Sequence, residues 1–438
     1  VSTGRRLTVL LSILAVLGAP AVVLRAFCVG KSCTQAGTAE ATVPFCPLPA
    51  WLQDEIVAGF RAGRSPDVLA ATGDTTRVRG ATGTTWPSSA DVRRTTSVPL
   101  LFMGSGIQTG EISRRLQLDR IAPTLEPLLG LRRDHPEVRA GVAIPGVVLK
   151  GARSPLVVTI AWRSVGMPEL MARPHAWPWL AAELGGAVPD GSAGLATPGS
   201  LPLDPAAVLT TIGSGGLPAQ HGITGTQLRG HGRVVRAWTK GAPPSVITTL
   251  ADDLDRANGQ ASRIGLIAPD IADRGLVGDG WYVGADEDDL RIVGGDPVPS
   301  VERLLADGYG ADVVPDMLGV VLAGPLATMD RRTGAIVDAV TAAVPDATVV
   351  VTTTGSPGTG ADAVPGSSVA RRLDAAVGDP VVQAVGSDGL FLDPAVVTER
   401  GISSDEVATD LRGLIGTDGR PLVLDAYPSF SVAFARYC

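Results

Sequence analysis

With 438 residues, 45% of them hydrophobic and 18% charged, the chain can bury a large core and is not a disordered polymer. A formal net charge of -7 argues against a nucleic-acid partner, which calls for a basic face. The 54 glycines and 34 prolines predict numerous loops.

In chain order, Arg5 and Arg6 precede an uncharged run over 7–24 that closes at Arg25. Residues 1–27 therefore read as a signal peptide or a membrane anchor, and either one exports the remainder. Residues 28–43 read as a linker and 44–438 as the folded domain. Four cysteines, Cys28, Cys33, Cys46 and Cys438, agree with an oxidising, extracytoplasmic setting. Of three connectivities, Cys28–Cys33 with Cys46–Cys438 is favoured, because the second pair ties the two ends of the domain together.

Helical spacing over 48–63 (Leu52, Ile56, Phe60) stops at Gly63. A strand over 66–71 and a polar loop over 72–96 follow. The apolar run 98–104 reads as a buried strand and 119–129 as a helix with Asp119 at its N-cap. Then come a strand over 155–161, helical character over 169–184, a helix over 244–257 and a strand over 263–268. Asp270, Asp273 and Asp279 share a loop over 270–280, read as a solvated acidic loop because it lacks calcium-loop spacing. A helix over 298–307, strands over 317–322 and 348–353, and helices over 329–344 and 404–414 complete the pattern, with terminal strands over 422–426 and 430–434. Apolar strands alternating with amphipathic helices predict an α/β fold, a three-layer sandwich around a mostly parallel sheet.

The stretch 200–226, SLPLDPAAVLTTIGSGGLPAQHGITGT, organises the rest. Asp204 followed by Pro205 is an N-cap and first-turn pair, so a helix starts there. Pro218, His221, Gly222 and Ile223 resemble the nucleophile segment of the alkaline phosphatase superfamily, in its type I phosphodiesterase/nucleotide pyrophosphatase branch. In that family a Thr or Ser opens the helix; here the position falls at 203–205, where Asp204 alone could attack. Gly80-Ala81-Thr82-Gly83-Thr84, Val98-Pro99-Leu100-Leu101-Phe102-Met103-Gly104 and Asp119-Arg120-Ile121-Ala122-Pro123-Thr124-Leu125 resemble the C-terminal third of such a protein. They precede the nucleophile-like stretch, so the resemblance implies a circular permutation with neighbouring termini.

The resemblance also implies a pair of zinc ions held by Asp and His at strand ends, clamping a phosphoryl group. This sequence departs at each ligand segment. Ala161-Trp162-Arg163-Ser164, Ala323-Gly324-Pro325-Leu326-Ala327, Thr352-Thr353-Thr354-Gly355 and Ala81-Thr82-Gly83 carry neither acid nor imidazole. His135, His175 and His231 read as surface or turn residues, and His221 as structural. Candidate catalytic residues reduce to Asp204, Thr211 and Ser214, with Thr210 as a further hydroxyl and no base beside any of them in sequence. No metal site and no cofactor is predicted.

The resulting expectation is an exported pseudoenzyme with an alkaline-phosphatase-like fold that binds an envelope component or a protein partner. The alternative is a metal-dependent phosphodiesterase or phosphatase, with zinc held by an atypical site drawing on Asp204, Asp270, Asp273 and the histidines.

Overall fold

The longest buried runs of the chain form the middle of one sheet, as expected of strands covered on both faces. The computed structural model describes residues 44–438 apart from 91–95, 186–190, 279–289, 357 and 359–362. The expectations for 1–43, the Cys28–Cys33 pair and Asp279 lie outside the described residues.

Strands of the two larger sheets are β1 (Val68–Ala71), β2 (Val98–Gly104), β3 (Gly110–Gln117), β4 (Leu156–Trp162), β5 (Gly191–Thr197), β6 (Ile264–Ala268), β7 (Leu290–Val293), β8 (Asp316–Leu322), β9 (Thr348–Thr353), β10 (Val382–Val385), β11 (Gly389–Leu392) and β12 (Asp425–Pro428). Helices are α1 (Ala50–Gly59), α2 (Ile121–Leu125), α3 (Met167–Ala172), α4 (Pro178–Gly185), α5 (Pro205–Ser214), α6 (Pro218–His221), α7 (Leu250–Ala257), α8 (Pro297–Ala306), α9 (Leu326–Ala343), α10 (Gly366–Val377), α11 (Pro394–Arg400) and α12 (Ser404–Gly413).

The central sheet has the order β7-β6-β8-β4-β9-β2-β5-β3. Its pairs β7–β6, β6–β8, β8–β4, β4–β9 and β5–β3 are parallel, whereas β9–β2 and β2–β5 are antiparallel. Alternation along each strand divides two cores. Val157 and Ala161 of β4, with Met317 and Val321 of β8, pack on one side with Val208, Leu209 and Ile212 of α5 and Leu250 and Leu254 of α7. Leu156, Val158, Ile160 and Trp162, with Leu318, Val320 and Leu322, pack on the other side with Leu304 of α8 and Met329, Ile336 and Val340 of α9. Helices thus flank both faces of a mixed, mostly parallel sheet, the α/β architecture expected. A four-stranded antiparallel sheet, β10-β11-β1-β12, has its own core under Val369 and Leu373 of α10 and Val407 and Leu411 of α12.

Several local expectations need correction. The helix expected over 169–184 is two, α3 and α4, because Pro174 and Pro178 interrupt it. The helix expected over 244–257 begins only at Leu250, where the Thr249 hydroxyl and the Asp252 carboxylate form a capping box. Asp119 lies inside a 3₁₀ turn, Leu118–Arg120, instead of capping the helix after it. Residues 430–434 belong to the 3₁₀ helix Ser429–Tyr437 and not to a strand. A strand would place Phe430, Val432 and Phe434 on one face, yet Val432 is buried while both phenylalanines are exposed.

Cys46 and Cys438 are joined, with Cα atoms 5.1 Å apart and a separation of 392 in sequence. Reducing this bridge, or Cys46→Ser, is expected to destabilise the chain by about 2–4 kcal/mol, since it frees a very long loop in the unfolded state. Thermal melts with and without reductant check this. Among the described residues, no helix is long and apolar enough to cross a membrane.

Candidate functional site

In an open α/β sheet the loops beyond the carboxyl ends of parallel strands form the natural crevice. Strands β8, β4 and β9 lie side by side with one direction, so the segments 161–164, 323–327 and 352–355 emerge together. The Arg163 N–H donates to Leu322 O at 2.8 Å and the Ser164 N–H donates to Thr354 Oγ1 at 2.8 Å, which ties the three together.

Arg163 turns its guanidinium toward two carboxylates. Its Nη1 donates to both oxygens of Asp273 at 2.7 Å and stands 3.5 Å from Asp270 Oδ2. Asp270 caps the 3₁₀ turn Ile271–Leu276 by accepting the Ala272 N–H, and it also pairs with Arg236. Against the desolvation of its partial burial, the Ala272 N–H and the Arg236 and Arg163 guanidiniums hold its carboxyl below the ordinary value. Asp273 is fully buried. Burial pushes its carboxyl up to about 7 despite Arg163, and the charges of Asp270 and Asp204 add to the rise. The solvated acidic loop expected here is corrected: the turn packs on α5 so closely that a Cβ on Gly213 would lie 2.3 Å from Gly275 O. That approach buries Asp273 and forces it to find an internal cation.

Asp204 caps α5, as its sequence context predicts, and has no exposed surface. Its Oδ1 accepts from the Ala206 N–H (3.1 Å), the Thr226 N–H (2.8 Å) and the Thr226 hydroxyl (2.7 Å). Its Oδ2 accepts from the Ser387 hydroxyl (2.5 Å) and the Thr82 hydroxyl (3.3 Å). Five donors saturate a carboxylate with roughly four lone-pair sites, leaving none for an attack. Asp388, beside Ser387 in the turn between β10 and β11, is buried. That burial, followed by the charge of Asp204, pushes its carboxyl up to about 8. Sequence reasoning missed Ser387 and Asp388; the available signal was Gly386-Ser387-Asp388-Gly389 between two apolar runs, a turn signature.

Thr211 and His221 have the look of a nucleophile and its base, with Oγ1 and Nε2 3.1 Å apart. The hydrogen bonds around them assign a different role. His221 Nδ1 accepts the Ile223 N–H at 3.1 Å, so the ring proton of the neutral imidazole is on Nε2. The Thr211 hydroxyl in turn donates to Ala207 O at 3.2 Å. Burial, with the nearby charges of Arg64 and Arg61, lowers His221 to about 3 and keeps it neutral. Nε2 therefore has no lone pair with which to take a proton from Thr211. Thr211→Val is expected to cost about 0.5–1.5 kcal/mol of stability by removing one of two acceptors of that N–H, the Ala207 carbonyl being the other, measurable by denaturant unfolding.

Ser214 is likewise buried and accepts the Gly216 N–H at 3.1 Å, closing the C-terminal end of α5. Thr210 donates back to Ala206 O at 2.7 Å. Thus Asp204 lies with Thr82, Ser387 and Asp388, whereas Thr211 bonds with His221 and Ser214 caps the far end of the same helix. His135, His175 and His231 are exposed.

The residues at the strand ends do not fit a zinc pair. A guanidinium already occupies the space between Asp273 and Asp270, and among the described residues no three His, Cys, Asp or Glu side chains are placed to hold a metal ion. No family model, no curated protein and no solved structure matches this chain.

Proposed function

We propose that this chain is an exported binding protein that carries an alkaline-phosphatase-like framework in permuted order and performs no hydrolysis. The carrying observation is the Arg163 guanidinium, which satisfies Asp273 where the resemblance expects a metal ion. Two further contacts support the ancestry. Thr82, from the segment that resembles the family's Thr-His-Gly, reaches Asp204, which stands at the nucleophile position. The 46–438 bridge makes neighbours of the two ends that a permutation requires, and it supports an oxidising compartment. The ligand in this reading is an envelope component or a protein partner, taken up at the strand-end crevice.

The test is metal analysis of the purified full chain together with turnover of bis(p-nitrophenyl) phosphate. The expected result is no stoichiometric zinc and a rate equal to that of Asp204→Asn. About two equivalents of zinc with chelator-sensitive turnover would replace this reading by a metal-dependent phosphodiesterase.

A further inference from the structure

A cavity of about 380 Å³ lies between α1, the end of β3 and the segment after β5. Its walls include Trp51, Asp54 and Glu55 from α1, Gln117 and Arg120 from the end of β3 and the turn beyond it, and Thr197. None of these residues takes part in the contacts of Asp204, Arg163 or His221 described above.

The side chains present are chemically selective. Arg120 is only half-buried; its guanidinium makes no hydrogen bond or salt bridge among the described residues, although its charge acts on the adjacent Asp119 carboxyl. Asp54 is exposed on the same cavity and is also without a side-chain partner among them. Gln117 lies flat against Gly199, where a Cβ would meet its Cδ at 3.0 Å and its Nε2 at 3.1 Å. Gly199 has φ +84°, so the backbone is turned in a way that only glycine adopts without strain, and the cavity wall is thereby held open for the amide.

The Asp54 carboxylate only accepts, the Arg120 guanidinium only donates, and the amide of Gln117 and hydroxyl of Thr197 do both. A ligand that satisfies all of them needs several groups that each donate and accept, set on a body with a nonpolar face for the Trp51 indole. Hydroxyls around a pyranose ring meet that description. An anion would face Asp54, and a cation would face Arg120. The volume stands at the lower end of small-molecule sites, roughly 300–1,000 Å³, which suits one or two rings. We infer that this cavity is a binding site for a neutral saccharide of one or two units. The inference stands apart from the proposed non-hydrolytic function, since a zinc assay leaves it untouched.

The test is calorimetry and saturation-transfer NMR on the purified full chain with maltose, cellobiose, lactose and N,N′-diacetylchitobiose. Glucuronate, glucose 6-phosphate and glucosamine serve as charged counterparts, and a tripeptide of glycine as an open-chain polar control. At least one neutral disaccharide is expected to bind, and Arg120→Ala and Asp54→Ala are each expected to weaken it by about tenfold or more. Trp51→Ala should do the same, but Trp51 also touches the core around Leu52, so the two polar variants carry the decision. The melting temperature of Asp54→Ala should match the parent chain, and that of Arg120→Ala should match it at pH 5, where the neighbouring Asp119 is mostly neutral. Absence of binding by all four disaccharides, binding indifferent to both polar variants, or tighter binding of a charged sugar or the tripeptide would each overturn the inference.

Discussion

Arg163→Met is expected to destabilise the chain by about 1–2 kcal/mol more at pH 8 than at pH 5, the limit set by a carboxyl that can shed an unpaired buried charge by taking up a proton. Asp273 has 0% of its surface exposed and both of its oxygens bond to that one guanidinium. Methionine of similar length preserves the packing but leaves the carboxylate unpaired. The carboxylate can escape only by taking up a proton. Its carboxyl already sits at about 7 with Arg163 present, and losing the cation moves it higher. The deficit should therefore shrink at pH 5, where Asp273 is neutral in both proteins, and the double variant Arg163→Met, Asp273→Asn should recover most of it. Denaturant unfolding at both pH values measures this; an equal loss at pH 5 and 8 would mean that Arg163 acts by packing and not by charge.

Asp388→Asn is expected to stabilise the chain at pH 8 by on the order of 2 kcal/mol or more and to change little at pH 5. Burial and the charge of Asp204 hold the Asp388 carboxyl at about 8, far above its ordinary 3.8. The folded chain therefore keeps a proton that the unfolded chain releases between about pH 4 and 8. Its contribution to stability is complete below the unfolded value and is lost as pH rises through the folded one. Asp273, pushed up to about 7, and Asp119, pushed by burial up to about 6, add slopes of the same sign. The parent chain should thus melt at a higher temperature at pH 5.5 than at pH 8.5, and the variant should show a flatter profile. Parallel profiles for the two proteins would place the proton elsewhere.

Much of the sheet was legible because its middle strands are buried on both faces. Residues 98–104 and 317–322 are apolar runs, and 348–353 is wholly β-branched, as buried strands favour. The edge was not legible. Strand β3 reads Gly-Glu-Ile-Ser-Arg-Arg-Leu-Gln, with the polar content a sheet margin tolerates. Strand β5 reads Gly-Ser-Ala-Gly-Leu-Ala-Thr, small because a Cβ on Gly194 would lie 2.6 Å from Ile112 O. Within the site, Asp204 was legible from its Asp-Pro capping pair, a purely local signal. Its partners were not: Ser387 lies 183 positions away, and only the packing of the smaller sheet brings it to the start of α5. The burial of Asp273 was hidden for the same reason, since an acidic loop in sequence says nothing of the helix that will cover it.

The link between Cys46 and Cys438 has a mechanical meaning. A tension applied between positions 46 and 438 runs through the covalent crossing without travelling along the intervening polypeptide. The hydrogen-bonded ladders of both sheets are then out of the line of load. With the load applied across positions 46 and 438, the fold would be spared shear for as long as that one bond between sulfurs remains intact.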